Sequence, residues 1–87
     1  MKILLADDHR LMREGLRSLL ARQSGMDIVG EADNGITAVQ LARELTPAVV
    51  IMDIAMPDLN GIEATRQIKA ELPETKILGL SMHADRR

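Results

Sequence analysis

Four short apolar segments recur along this 87-residue chain, and longer segments with helical periodicity separate them. The apolar segments are too short for helices and are rich enough in aliphatic residues to form buried strands. The alternation predicts a parallel α/β sheet with helices on its faces and right-handed crossovers. The predicted strands are Lys2–Ala6, Asp27–Ala32, Ala48–Met52 and Thr75–Ser81, and the predicted helices run from His9 to Gln23, from about Ile36 to Leu45, and from Gly61 to just before Pro73.

The first predicted helix is amphipathic and follows two acidic residues. Its apolar face contains Met12, Leu16, Leu19 and Leu20, and its Arg and Glu residues are expected on a solvated face. We expect Asp8 to cap the helix, because a carboxylate can accept a hydrogen bond from a free N–H of the first turn.

Composition excludes several classes of function. The chain has no Cys, Phe, Tyr or Trp, which rules out disulfides, zinc–thiolate sites and aromatic platforms for single-stranded nucleic acid. With 11 Lys and Arg against 13 Asp and Glu, the net charge is -2, so no basic field attracts nucleic acid. No apolar run is as long as a membrane span. We expect one cytoplasmic domain over residues 1–87, with no membrane contact and no direct nucleic-acid binding.

Polar side chains follow three of the four predicted strands. Asp7 and Asp8 follow the first strand, Asp53 follows the third, and Ser81 ends the fourth. Ligands of open parallel sheets bind beyond the carboxyl ends of the strands, so these groups can share one crevice. Crowded carboxylates need a cation, and Mg2+ prefers such oxygen ligands. A carboxylate beside Mg2+ can accept a phosphoryl group, which a nearby hydroxyl can hydrogen-bond.

Simpler interpretations of the same residues remain open. Asp7 and Asp8 could only stabilise the positive end of the first helix. Asp53 could be a turn residue, and Ser81 an ordinary hydroxyl at a strand end. We expect His9 and His83 to be surface residues, because neither has a second His at metal-ligand spacing.

These residues together resemble a known family. Asp7 and Asp8, the segment from Met52 to Gly61, and Ser81 are similar to the motifs of bacterial response-regulator receiver domains. The segment Ala6–His9, with Gly61–Arg66, resembles the NarL/LuxR-type subfamily, whose receivers precede a helix-turn-helix DNA-binding domain. The resemblance covers the whole chain. It implies a flavodoxin-like (CheY-like) fold with strand order 2-1-3-4-5.

The resemblance also implies roles for individual residues. Asp53 would accept a phosphoryl group from a phosphohistidine on a sensor histidine kinase. Asp7, Asp8 and Asp53 would bind Mg2+, with the backbone carbonyl of Ala55 as a further ligand. Ser81 would supply the switch hydroxyl. Pro57 and Gly61 would shape the loop over the site.

The chain departs from the family pattern at its end. The resemblance implies an incomplete βαβαβαβ unit that lacks the fifth strand and the last two helices, about 30–35 residues by typical element lengths. The family's Lys after strand five and its aromatic switch residue therefore have no counterpart here. Strand four would be an exposed edge, from which we expect a homodimer or higher oligomer.

Two alternative functions compete with the receiver interpretation. One is a Mg2+-dependent phosphohydrolase with an Asp nucleophile, but such haloacid-dehalogenase-like enzymes usually carry a second acid two positions later, where this chain has Ala55. The other is a self-associating interaction module with an impaired or vestigial phosphorylation site. The receiver interpretation predicts autocatalytic phosphoryl acceptance and no turnover enzyme.

Overall fold

The elements of the computed structural model, which describes residues 1–56 and 58–80, follow the predicted order. Their described ends lie within two residues of the predicted ones. The strands are β1 (Lys2–Ala6), β2 (Asp27–Ala32), β3 (Val49–Asp53) and β4 (Lys76–Leu80), and the helices are α1 (Arg10–Ala21), α2 (Gly35–Leu45) and α3 (Gly61–Glu71).

The four strands form one sheet in the order β2-β1-β3-β4. Every neighbouring pair is parallel, which confirms the predicted α/β class. In the register of β1 and β3, Ala6 pairs with Met52. The next residue of each strand, Asp7 and Asp53, is therefore brought to the same place on the carboxyl edge of the sheet.

Alternate side chains of the central strands serve two separate cores. On one face, Leu4 and Val50 pack with buried residues of α2 and α3, such as Ala38 and Ile68. The side chains that build the core on the other face come from all four strands and from α1: Ile3, Leu5, Ile51, Leu16, Leu20, Ile28 and Leu80 are among them. Leu19 was predicted on the apolar face of α1, but it is 62% exposed because α1 buries only a narrow stripe.

Two of the three helices begin with a side-chain cap. Asn34 accepts a hydrogen bond of 2.8 Å from the N–H of Thr37, and Asn60 accepts one of 2.9 Å from the N–H of Glu63. The expected cap of α1 by Asp8 is wrong, since the N-cap residue is His9 and makes no side-chain cap bond. Instead, the carboxylate of Asp7 accepts a hydrogen bond of 2.7 Å from the N–H of His9.

Strand β4 lies at an edge of the sheet that residues 1–56 and 58–80 form. Leu78 on this strand is 57% exposed, whereas the central strands β1 and β3 are almost wholly buried. Within the same described residues, no helix has both the length and the apolar character needed to cross a membrane.

Candidate metal centre at the carboxyl edge of the sheet

Two buried carboxylates lie at the carboxyl ends of the central strands. Asp7 is 1% exposed and directly follows β1, and Asp53 is 0% exposed and ends β3. Both positions are fixed by the sheet: the N–H of Asp7 donates to the carbonyl of Ala32 at 3.0 Å, and the N–H of Ile54 donates to the carbonyl of Leu80 at 3.2 Å. The sheet thus places two negative charges side by side in a site with little solvent.

One oxygen of each buried carboxylate is engaged by neighbouring main chain. Oδ1 of Asp7 accepts from the N–H of His9, and Oδ1 of Asp53 accepts a hydrogen bond of 3.0 Å from the N–H of Ala55. The second oxygen of each, Oδ2, is buried and has no hydrogen-bond partner among the described residues. Burying an unsatisfied oxygen is costly, so these atoms call for a ligand that the protein itself does not supply.

Asp8 and His9 complete the cluster from the exposed side. Asp7, Asp8, His9 and Asp53 each contribute one possible ligand atom, and these four atoms all lie within 4.8 Å of one another. The side chain of Asp8 is 31% exposed and that of His9 is 49% exposed. The cluster therefore combines two buried carboxylates with two partly exposed side chains that border solvent.

The imidazole of His9 faces all three carboxylates. Its Nδ1 atom lies 3.0 Å from Oδ1 of Asp7, 3.2 Å from Oδ1 of Asp8 and 3.7 Å from Oδ2 of Asp53. The hydrogen bond to Asp7 and then the charge of Asp8 raise the pKa of His9 above its ordinary value of 6.5. His9 is half-exposed, as expected for a surface residue, but its contact with the cluster was not anticipated. The adjacent acids were the available signal, whereas the sequence reasoning looked only for a second His.

This donor set fits a hard divalent cation. Three carboxylates supply oxygen ligands, two of them with a buried oxygen that lacks a hydrogen bond. Mg2+ is commonly held by one or two carboxylates together with waters and phosphate oxygens. The solvent-exposed side of the cluster leaves room for such waters and oxygens. The structure thus brings together the three acidic residues that were predicted to bind Mg2+: Asp7, Asp8 and Asp53.

The loop from β3 to α3 begins at Asp53, a member of this cluster. A Cβ atom on Gly61 would lie 2.3 Å from Cα of Ile54 and 2.4 Å from the carbonyl oxygen of Asp53, so only glycine fits. The N–H of Gly61 donates to the carbonyl of Ile54 at 3.0 Å and closes the loop. Ala55 contacts Asp53 through its N–H, and the role of its carbonyl as a ligand stays a prediction. Pro57 and Ser81 lie outside the described residues, so the switch role of Ser81 also stays a prediction.

Arg13 forms hydrogen bonds next to the cluster, to the backbone of Asp7 and to the side chain of Glu31. We expected this residue on the solvated face of α1, but its side chain is only 18% exposed. Its Nη1 donates to the carbonyl of Asp7 at 2.5 Å, and its Nε donates to Glu31 at 3.2 Å. The guanidinium therefore links α1 to the ends of β1 and β2, a role that amphipathic periodicity alone does not indicate.

A cavity lies at the opposite edge of the sheet, away from the acidic cluster. It measures about 970 Å³ and is lined mainly by the segments around Pro47 and Pro73 and by Lys76. Its lining is more apolar than the acidic cluster and includes none of the residues in that cluster. Volume alone would select this cavity, but the ligating groups lie at the carboxyl edge.

The model of the response regulator receiver domain family matches residues 3–87 of this chain. Response regulator protein VraR of Staphylococcus saprophyticus is 42% identical over 84 residues, which cover 97% of this chain and 40% of that protein. The chain thus spans less than half the length of this curated relative.

Solved structures give the same match in three dimensions. A two-component response regulator of the LuxR family from Aurantimonas sp. SI85-9A1 is 43% identical with a TM-score of 0.89, over 95% of this chain and 59% of that one. The isolated REC domain of RcsB from Salmonella enterica serovar Typhimurium, solved in the presence of phosphomimetic BeF3-, is 28% identical with a TM-score of 0.89, over 98% of this chain and 64% of that one. The CheY-like fold that the sequence resemblance implied is confirmed.

Proposed function

This chain belongs to the response regulator receiver domain family of two-component systems, and on that premise we propose that it is a phospho-acceptor whose acceptor residue is Asp53. The proposed donor is a phosphohistidine on a sensor histidine kinase, the proposed cofactor is Mg2+, and the proposed location is the cytoplasm. The NarL/LuxR-type motifs around Asp8 and Gly61 support a further proposal, that the receiver regulates a DNA-binding output domain.

The observation that carries this proposal is the buried Oδ2 atom of Asp53, which has no hydrogen-bond partner in the part of the chain that the structure describes. In the proposed step, a carboxylate oxygen of Asp53 attacks phosphorus and forms a new P–O bond. The P–N bond to the donor imidazole breaks, and its electron pair returns to the imidazole, which leaves neutral once it holds a proton. The product is an acyl phosphate on Asp53.

The neighbouring residues orient the carboxylate of Asp53 and balance the charge in this step. The hydrogen bond from the N–H of Ala55 fixes Oδ1 of Asp53, so the opposite oxygen is left for the phosphoryl group. Asp7 and Asp8 would hold Mg2+, which when bound neutralises charge on the phosphoryl oxygens. The BeF3- present with the RcsB domain is consistent with phosphoryl chemistry in this fold.

Acceptance without turnover is the proposed limit of this chemistry. A phosphohydrolase of the haloacid-dehalogenase type needs a second acid two residues after the nucleophile to protonate the leaving group, and Ala55 has no such group. We therefore propose that the chain accepts a phosphoryl group on itself and is not an enzyme in the usual sense.

The test is intact-mass spectrometry after incubation with a small phosphoryl donor such as acetyl phosphate. With Mg2+, wild type should gain the mass of one phosphoryl group, and Asp53→Asn should gain none. Asp8→Asn should react more slowly, because it removes a proposed metal ligand. With excess chelator, wild type should lose most of its adduct.

Asp27→Asn is the matched control for these substitutions. Asp27 is 77% exposed at the opposite end of the sheet, so removing its charge should leave the adduct unchanged. An adduct on Asp53→Asn, or an equal yield with and without Mg2+, would overturn the proposal. Continuous release of phosphate from the donor, in excess of the protein, would favour the enzyme instead.

A second proposal is self-association along β4. It is supported by the position of this strand at a sheet edge and by Leu78, a large apolar side chain that is 57% exposed there. Light scattering across a concentration series should show a dimer or larger species that Leu78→Lys dissociates. Ile62→Lys is the control, since Ile62 is also a large apolar side chain, 69% exposed, but belongs to α3 and not to β4. A monomer at all concentrations would refute self-association.

A further inference from the structure

We propose that His9 is a nitrogen ligand of the divalent cation in this site, and that it makes the site favour a borderline ion such as Ni2+ over Mg2+. The inference rests on the proposed function, because it assumes that Asp7, Asp8 and Asp53 bind a cation. It adds a ligand, and a metal preference, that three carboxylates alone would not give.

The positions of the ligand atoms support this assignment. Nδ1 of His9 lies 3.0 Å from Oδ1 of Asp7 and 3.2 Å from Oδ1 of Asp8. Neighbouring ligands of an octahedral ion with bonds of 2.0–2.1 Å lie about 3.0 Å apart, since they occupy adjacent corners of the octahedron. Nδ1 is thus spaced from two carboxylate oxygens as a third ligand on one face of the ion would be.

The buried oxygens give an independent reason to expect an ion at this point. Oδ2 of Asp7 and Oδ2 of Asp53 have no hydrogen-bond partner within residues 1–56 and 58–80, although the two side chains are 1% and 0% exposed. Oδ2 of Asp53 is also 3.7 Å from Nδ1 of His9. A cation between the carboxylates would compensate their buried charge and lie within reach of the imidazole.

The main chain holds His9 in place without help from its ring. The N–H of His9 donates to Oδ1 of Asp7 at 2.7 Å, and Arg13 donates to the carbonyl of Asp7 at 2.5 Å. These bonds fix the backbone between β1 and α1. The ring can therefore exchange its hydrogen bond with Asp7 for a bond to a metal, with no movement of the strand.

The chemistry of the nitrogen ligand then determines which ion binds more tightly. Imidazole suits Ni2+ and other later transition ions, and affinity rises from Mn2+ to Ni2+ along the Irving–Williams series, whereas Mg2+ and Mn2+ prefer oxygen ligands. The predicted effect is a selective one: the nitrogen ligand strengthens the binding of transition ions and adds little for Mg2+.

The experiment compares wild type, His9→Asn and His83→Asn at alkaline pH, where the imidazole is neutral. Calorimetry measures the affinities for Mg2+, Mn2+ and Ni2+, and pulsed electron paramagnetic resonance of the Mn2+ complex detects coupling to an imidazole nitrogen. His9→Asn replaces the ring nitrogen by an amide, a harder donor of similar reach. His83→Asn removes the other histidine of the chain and is the control.

We expect His9→Asn to weaken Ni2+ binding about tenfold or more, the scale on which losing one partner of a metal site acts, and to weaken Mn2+ binding less, because Mn2+ prefers oxygen ligands. Mg2+ affinity should stay within about twofold, since its oxygen ligands remain. The imidazole nitrogen coupling should be present in wild type and in His83→Asn and absent in His9→Asn.

The outcomes separate this inference from the function on which it rests. If wild type binds Mg2+ through Asp53 but shows no nitrogen coupling, the assignment of His9 is wrong and the proposed function stands. If His9→Asn binds every cation more tightly, His9 competes with the metal, and the assignment is again overturned. If neither wild type nor any variant binds a divalent cation, both proposals fail.

Discussion

Asp7 and Asp53 lie side by side at the carboxyl ends of neighbouring parallel strands, and each buries one carboxylate oxygen that has no hydrogen-bond partner among the described residues. The sheet register fixes this pair, because the preceding residues, Ala6 and Met52, are directly paired. Two buried like charges in one site raise the free energy of the folded chain when no cation is bound. The arrangement therefore favours cation binding at the expense of metal-free stability.

The first prediction is that Asp53→Asn stabilises the metal-free chain. The substitution removes one of the two buried charges and keeps the shape of the side chain. The free energy of unfolding, measured by urea denaturation in excess chelator, should rise by about 1–3 kcal/mol, because a buried charge next to a like charge costs more than a neutral amide of the same shape.

Asp27→Asn is the control for this measurement too, because Asp27 is well exposed and its removal should change stability little. Added Mg2+ should raise the stability of wild type by mass action and that of Asp53→Asn much less. An Asp53→Asn chain that is less stable than wild type in chelator would show that the buried charges do not destabilise the metal-free chain.

Sequence periodicity was enough to predict the strands, the helices and the carboxyl edge that joins Asp7 to Asp53. It succeeded because buried parallel strands read as short aliphatic runs, and because the residues that follow them must meet at one edge. The strand order came from the family resemblance, since periodicity does not say which strands are neighbours.

What the sequence did not reveal depends on side-chain direction. Arg13 lies on the polar side of the helical pattern, yet its long side chain folds back to the end of β1, which periodicity cannot show. Asp8 looked like a helix cap, but the chain turns one residue later and His9 takes that position. The same turn brings the ring of His9 onto the carboxylates, a contact that only three-dimensional geometry reveals.

The second prediction concerns Gly61, the first residue of α3, whose backbone packs closely against the end of β3. A methyl group there would lie 2.3 Å from Cα of Ile54 and 2.4 Å from the carbonyl oxygen of Asp53, and neither backbone atom can easily move away. Gly61→Ala should destabilise the chain by about 1–3 kcal/mol or more, and it should weaken Mg2+ binding by shifting Asp53.

Gly15→Ala is the matched control, because a Cβ at that position in α1 meets no atom within 4 Å. Alanine is the better helix former, so this variant should gain about 0.5–1 kcal/mol in free energy of unfolding. Equal stabilities for the two variants in thermal denaturation would contradict the close contact at Gly61.

The third prediction concerns pH and the ion pair that joins α2 to α3. Nε and Nη2 of Arg43 donate to the two carboxylate oxygens of Glu71 at 2.6 and 2.7 Å. These hydrogen bonds, and then the charge of Arg43, lower the pKa of Glu71 below its ordinary value of 4.5. Because the folded-state pKa is lowered, the stabilisation is present above the unfolded-state value and is lost as pH falls through the folded-state value.

Arg43→Gln should return the pKa of Glu71 to its ordinary range, as measured from the carboxyl carbon shift by NMR. It should also make stability less sensitive to acid. Arg66→Gln is the control, because Arg66 pairs with Glu63 within α3 and should raise only the pKa of Glu63. If Glu71 titrates alike in wild type and Arg43→Gln, the two helices are not joined by this pair in solution.

The fourth prediction concerns Thr46, which ends α2 in a left-handed conformation with φ of 42° and ψ of 62°. A β-branched residue is strained there, whereas glycine adopts this conformation freely. The N–H of Thr46 donates to the carbonyl of Ala42 at 2.9 Å, and any residue except proline can make that bond. Thr46→Gly should therefore stabilise the chain by about 1 kcal/mol in urea denaturation.

Thr46→Ala distinguishes relief of strain from removal of the hydroxyl. Alanine also loses the side-chain hydrogen bond from Oγ1 to the carbonyl of Leu45, which measures 2.8 Å, but it keeps a Cβ atom in the left-handed conformation. It should be clearly less stable than Thr46→Gly, because only glycine removes the clash of Cβ with the backbone. If glycine and alanine give the same free energy of unfolding, the helix does not end in the left-handed conformation in solution.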